Sequence, residues 1–297
     1  MNDEHMLAKY IGNPEVFWPL SHQRNALKIK RALDKCGYGS DKDYVWKIKD
    51  FVKFRSDFYA RHLYIVNTGS AGSHWIEAML GLLPGFYNGG EIYFPKEIKK
   101  YLSGLSSKEA NEFLDAIYVI HSGGIHKDSL TATISNSANL ANHRQISDFS
   151  LNKKVVLLLR DPVDVVISRT FRKNEYKKDI APSLDDNEYL ERNCKYVENF
   201  YNQLDLSSFD AVIRYEDFLE NTLESLKALA NLIGIDASEA EFERAVRKTS
   251  QNEEKNMLET KGETLTNIYM GEKNDHDWAK VFVRKKLNDI LVKYEYF

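Results

Sequence analysis

The chain has 297 residues, 43% hydrophobic and 12% aromatic, enough for one sizeable core and too few to require two. Its formal net charge is −3 with 29% charged residues, and its short basic run, Arg284, Lys285 and Lys286, reads as a solvated helix face; both argue against a nucleic-acid binder. The longest apolar stretch, residues 155–159, is far short of a membrane span, and Cys36 and Cys194 fit no metal or redox spacing.

Residues 1–60 alternate apolar and charged positions at helical spacing, most clearly over 24–33 and 45–54, so a helical N-terminal segment is expected on a single domain spanning 1–297. The opening MNDEHMLAKYIG lacks the basic end and apolar run of a signal peptide, and two thiols suit a reducing compartment, so a cytoplasmic location is expected. The first strand signal, 62–67 (HLYIVN), runs into a polar turn at 68–72 and then a helix over about 73–83, ended by Pro84 and Gly85. Helical spacing returns at 108–115, and 116–121 (AIYVIH) reads as a second strand. A third, 154–159 (KVVLLL), is apolar throughout and therefore buried on both faces. Pro162 marks a helix start, with 163–171 as its first turns, and another helix covers 187–204. A fourth strand at 210–214 (DAVIR) precedes amphipathic helices at 222–233, 237–249 and 281–294. This alternation predicts an α/β fold, a three-layer αβα arrangement around a mostly parallel sheet.

Residues 65–80 (IVNTGSAGSHWIEAML) form a strand, a small-residue loop and a helix. Such a loop gathers exposed backbone N–H groups at the positive end of a helix, where a phosphate is stabilised; a plain tight turn accounts for this segment equally well by itself. The stretch Ala71-Gly72-Ser73 lacks the Gly-Lys-Ser/Thr ending that reaches terminal phosphates and holds magnesium, which disfavours a nucleotide hydrolase or kinase. The third strand leads into RDPVDVVIS, with Arg160 at its carboxyl end and Ser168 eight residues later. Both can address one anion at the sheet edge. Asp161 and Asp164 are natural capping residues of the helix that follows.

With these motifs the chain resembles the PAPS-dependent sulfotransferases, proteins of P-loop-like fold that use 3′-phosphoadenosine 5′-phosphosulfate. TGSAGSHW stands where the family has YPKSGTTW, and RDPVDVVIS where it has RDPRDVxxS. Residues 214–218 (RYEDF) resemble RYEDL, 248–250 resemble the KTSF region with Gln251 in place of an aromatic, and 277–282 resemble GDWxxxF. The resemblance runs in order from residue 65 to 282. It implies that Ser70, Ala71, Gly72, Ser73 and His74 surround the 5′-phosphosulfate. It further implies that Arg160 and Ser168 hold the 3′-phosphate, that Trp75 stacks on adenine and Thr249 contacts it, and that Tyr215 belongs to the cofactor site. Without the family context Trp75 is an ordinary core aromatic. Ser70 replaces the family's loop lysine, and the Arg-Lys-Gly that closes over the 3′-phosphate has no clean counterpart, Lys261-Gly262 and Lys273 being the nearest.

The resemblance also implies PAPS as co-substrate, no metal, and a small-molecule or glycan acceptor with a hydroxyl or amine. Sulfuryl transfer needs an in-line donor and acceptor, a base for the acceptor's proton and stabilisation of the leaving oxygen. The family's histidine base follows its second strand, which assigns His121, with His126 in reserve and Lys127 or His74 as substitute cations. A strand-end histidine bonded to backbone is the plainer alternative for His121. A silent PAPS-binding protein of the same fold is the other functional possibility, on account of the absent lysine. The acceptor pocket is expected from 85–107, 123–147 and 171–186, where Phe86, Tyr87, Tyr93 and Phe94 line it or simply pack.

Overall fold

A computed structural model describes residues 6, 9, 59–88, 94, 96–121, 131–138, 146–171, 177, 181–249 and 276–296. The helical segment expected over 1–60 lies outside these, save for 6, 9, 59 and 60.

Strand β1 (Tyr59–Val66) carries the first apolar run, and helix α1 (Ser73–Leu80) follows its polar turn. A two-residue strand β2 (Phe86–Tyr87) and helix α2 (Lys96–Leu102) come next. Helix α3 (Ser107–His121) leads to strand β3 (Thr131–Ala138). Strand β4 (Lys153–Leu159) is followed by helices α4 (Pro162–Phe171) and α5 (Asp186–Asn202). Strand β5 (Ala211–Arg214) passes straight into α6 (Tyr215–Glu220), then α7 (Thr222–Leu232) and α8 (Glu239–Lys248). Helices α9 (Asp277–Lys286) and α10 (Asn288–Lys293) close the described chain. The five strands form one sheet in the order β2-β3-β1-β4-β5, with β2 and β3 parallel, and β4 and β5 parallel. The α/β expectation holds.

The second strand does not fall where periodicity placed it. Residues 116–121 are the last turns of α3, not a strand. Two signals favour the helix. Ser106 and Glu109 form a reciprocal cap, with the Ser106 N–H donating to the Glu109 carboxylate at 3.0 Å and the Glu109 N–H donating to the Ser106 hydroxyl at 3.4 Å. Ala110, Phe113, Leu114 and Ile117 then repeat at i, i+3, i+4 and i+7, and all four are buried. A short apolar run such as AIYVI satisfies either period, and its register with the turns before it decides. The strand that does form, β3, has the sequence TATISNSA, whose serines and asparagine conceal it. It lies inside 123–147, expected as a variable loop. The single helix expected over 281–294 is two helices, parted at Leu287 (φ −103°, ψ 16°).

The described chain divides into two compact units. The first takes the described residues up to 64, those within 83–154 and 232–236; the second takes 65–82, those within 155–231, and the described residues from 237 onward. In the first, buried His62 and Asp115 meet at 2.5 Å, and the Tyr64 and Ser150 hydroxyls at 2.6 Å. Arg61 donates to the carbonyls of Ile233 and Gly234 at 2.8 and 2.6 Å, where a helix end leaves orphan acceptors. In the second unit β4 and β5 pair from Val156↔Ala211 to Leu159↔Arg214. Val155 through Leu159 are buried, as their unbroken apolar run requires.

Candidate functional site

The turn after β1 is built by its own side chains. Asn67 donates from Nδ2 to the Ile65 carbonyl at 3.0 Å, and its Oδ1 accepts from the Gly69 N–H at 2.7 Å. Gly69, Ser70 and Gly72 all have positive φ, 74°, 58° and 94°. Ala71 between them does not, and a turn in which the hand of the backbone alternates brings successive N–H groups to one side as an anion-accepting concavity. For serine this conformation costs on the order of 1–3 kcal/mol. Gly72 is the N-cap of α1 and no side chain caps that helix, so its dipole and orphan donors open onto the loop. The N–H groups of Ser70, Ala71 and Gly72 donate to no atom among the described residues. Ser70 Oγ is buried without a partner.

Arg160 follows the last residue of β4. Its Nη1 donates to the Ser70 carbonyl at 3.1 Å, and its Nη2 reaches Asp164 Oδ2 at 3.4 Å. The guanidinium lies 4.5 Å over the Tyr215 ring, and its Nε is buried without a partner. The Arg160 carbonyl accepts from Tyr201 Oη at 2.6 Å, and the Asp161 N–H donates to Glu216 Oε1 at 2.8 Å, which pins this strand end. Burial pushes the Asp161 carboxyl above its ordinary range, opposed by the Val163 N–H that it accepts at 2.8 Å. Asp161 thus caps α4 as expected, whereas Asp164 turns to Arg160.

Tyr215 joins the two halves of the site. A Cβ added at Gly72 would strike its ring at 2.4 Å, so glycine is required there by space as well as by φ. Trp75 packs edge-on to Tyr215 and Phe218, with centroids at 5.9 and 5.8 Å, and its Nε1 donates to the Thr249 carbonyl at 3.1 Å. Thr249 keeps its own hydroxyl on the Ala245 carbonyl, 2.9 Å away, and is buried. Ala71 and Ser73 are buried beside the turn, and Ser168 lies buried two turns along α4. His74 is on α1 with Nδ1 3.7 Å from the fully buried Glu77.

Eight of the expected residues are therefore tied to one loop or its contacts: Ser70, Ala71, Gly72, Ser73, Trp75, Arg160, Tyr215 and Thr249. His121 is the last residue of α3, in the other unit. His126, Lys127, Lys261 and Lys273 lie outside the described residues. Sequence reasoning missed Tyr201, Glu216 and Arg169. Arg169 immediately follows Ser168, so a cation on the RDP helix was visible, but its meeting with the turn at Thr68 was not. No group of three or more His, Cys, Asp or Glu among the described residues can hold a metal ion, and no described helix is long and apolar enough to cross a membrane.

A positive-φ turn at a helix N-terminus, faced by an arginine from the end of the adjacent strand and lacking the magnesium-binding Lys-Ser/Thr, has the chemistry to accept a phosphorylated or sulfated group. The chain belongs to the family described as the sulfotransferase domain, whose model matches residues 60–293, and sulfuryl transfer is that family's chemistry. No curated protein matches it. Among solved structures, it is similar to a mouse sulfotransferase, SULT7A1, complexed with PAP (17% identity, 84% of this chain and 94% of that chain, TM-score 0.44). It is also similar to the sulfotransferase domain from the curacin biosynthetic pathway (14% identity, 79% and 97%, TM-score 0.47).

Proposed function

We propose that this protein binds PAPS and moves its sulfuryl group to a hydroxyl or amine of a small-molecule or glycan acceptor. The observation that supports this best is the left-handed turn of Gly69, Ser70 and Gly72 at the start of α1, with Arg160 laid across the Ser70 carbonyl and the Tyr215 ring. The donors present suit a ligand with several anionic oxygens: N–H groups at Ser70 to Gly72, the Ser70 hydroxyl and the Arg160 Nε, the last two buried, all without a partner among the described residues. Ser70 to His74 would hold the 5′ group, Arg160 and Ser168 the 3′-phosphate, and Trp75, Tyr215 and Thr249 the nucleoside. When bound, the nucleotide supplies the activated sulfuryl group.

Calorimetric titration with 3′-phosphoadenosine 5′-phosphate (PAP), repeated with AMP and with Arg160→Ala, tests this reading. Micromolar PAP binding that needs both the 3′-phosphate and Arg160 supports it. Absence of binding at millimolar PAP rejects it.

His121 is the proposed base for the acceptor's proton. Because the strand preceding β4 is β3, ending at Ala138, the family pattern of a histidine after this strand also falls near His143, five residues on. His121→Ala is expected to lower kcat about 10²–10⁴-fold and to remove the rise of kcat/KM through neutral pH. If His143→Ala does so instead, the base is His143. A silent PAPS-binding protein is favoured by one feature, the neutral Ser70 at the family's lysine position, and PAP binding without turnover across an acceptor panel would establish it.

A further inference from the structure

Residues 68–73 (TGSAGS) contain no basic side chain, so the turn itself offers an anion only N–H groups, hydroxyls and a helix end. A fixed positive charge is nevertheless set against it. Arg169 on α4 donates from Nη1 to the Thr68 carbonyl at 2.9 Å. A Cβ placed on Gly69 would lie 2.8 Å from the same nitrogen, so the guanidinium rests directly on the first glycine of the turn. Its remaining surface is held from α5. The Tyr196 ring lies 4.2 Å from its central carbon, and Nε makes a long 3.5 Å contact with Asn193 Oδ1. Asn193 is anchored in turn by donating to Thr170 Oγ1 at 3.1 Å. Both supports are uncharged, and among the described residues no carboxylate pairs with Arg169. Arg160 differs, because Asp164 partly neutralises it.

A guanidinium immobilised by a ring, an amide and a backbone carbonyl keeps its full charge and loses little entropy on meeting an anion. We infer that Arg169 is a positioning residue that clamps Thr68 and Gly69 and supplies, from outside the turn, the positive charge for the group the turn binds. In the nucleotide reading proposed above, on which this inference rests, that group is the 5′-phosphosulfate, while Arg160 answers to the 3′-phosphate. The two arginines then divide the ligand between them.

The division is tested by titrating wild type, Arg160→Ala, Arg169→Lys and Arg169→Gln with PAP and with AMP, which share adenosine and the 5′-phosphate and differ only in the 3′-phosphate. Glutamine keeps a donor for the Thr68 carbonyl and drops the charge; lysine keeps the charge and drops the fork. The expected result is that Arg169→Gln weakens PAP and AMP alike, by about 10–100-fold, and leaves their ratio at the wild-type value. Arg169→Lys should recover much of that loss, and Arg160→Ala should weaken PAP alone. Thermal melts confirm that each variant is folded. Wild-type affinity for both ligands in Arg169→Gln overturns the inference, as does equal weakening by lysine and glutamine, since charge would then be irrelevant. AMP is expected to bind the wild type more weakly than PAP; absence of wild-type binding to both at millimolar ligand rejects the nucleotide site, and the inference with it.

Discussion

At Gly72 two independent constraints meet, a φ of 94° and a tyrosine ring where a methyl group would have to go. Gly72→Ala is therefore expected to cost about 1–3 kcal/mol in stability from the backbone alone, and more from displacing Tyr215. Urea unfolding of Gly72→Ala and of the double variant Gly72→Ala/Tyr215→Ala separates the two. The double variant should remove the steric part of the loss and keep the backbone part. PAP affinity should fall in both, because the turn and the ring that supports Arg160 are each disturbed. The same residue scale explains why Trp75 and Thr249 were legible as a pair only by resemblance. The contact between them is a side-chain donor meeting a carbonyl 174 positions away, which leaves no local trace.

Among the elements, α4 shows how a cap and a site share residues. Asp161 accepts from the Val163 N–H while burial holds its carboxyl above the ordinary range. A raised folded-state value means that the native protein retains this proton more readily than the unfolded chain. The favourable contribution is present at pH below the unfolded value, about 3.9, and is lost as pH rises through the folded one. Asp161→Asn mimics the protonated form and retains the Oδ1 acceptor for Val163. It is expected to match or exceed wild-type stability at pH 7 and to lose that advantage near pH 3. Denaturant titrations at both pH values check this; a loss of about 1 kcal/mol at pH 7 would mean that the ionised cap is the better one. Helix α3 carries the converse lesson. Its cap at Ser106 and its spacing were both readable, yet the apolar end 116–121 was assigned to a strand, because periodicity over six residues does not separate the two states.

For the molecule as a whole, net charge and site charge have opposite signs. The chain carries −3 overall, while the proposed ligand is a polyanion and the turn is flanked by Arg160 and Arg169. Long-range attraction is then weak and the affinity arises at short range. Stopped-flow measurement of PAP binding is expected to show an association rate that changes less than about threefold as salt rises from about 0.05 to 0.3 M, with the loss of affinity in the dissociation rate. A steep fall in the association rate would instead reveal a basic field that the composition does not show.

What the sequence alone determined was local and ordered: an α/β alternation, a small-residue turn before a helix, and the RDPVDVVIS and RYEDF segments in the family's sequence order. These features are encoded by neighbours along the chain, through hydrophobic period, capping chemistry and glycine placement. Tertiary structure decided the rest. Strand β3 forms from a polar segment because a parallel neighbour satisfies its backbone, which no period-two pattern announces. Likewise Arg169, Tyr196 and Thr68 converge only when α4 and α5 pack beside the turn. A charge's function depends on what lies within a few ångströms of it, and across a hundred residues of sequence only the fold determines that.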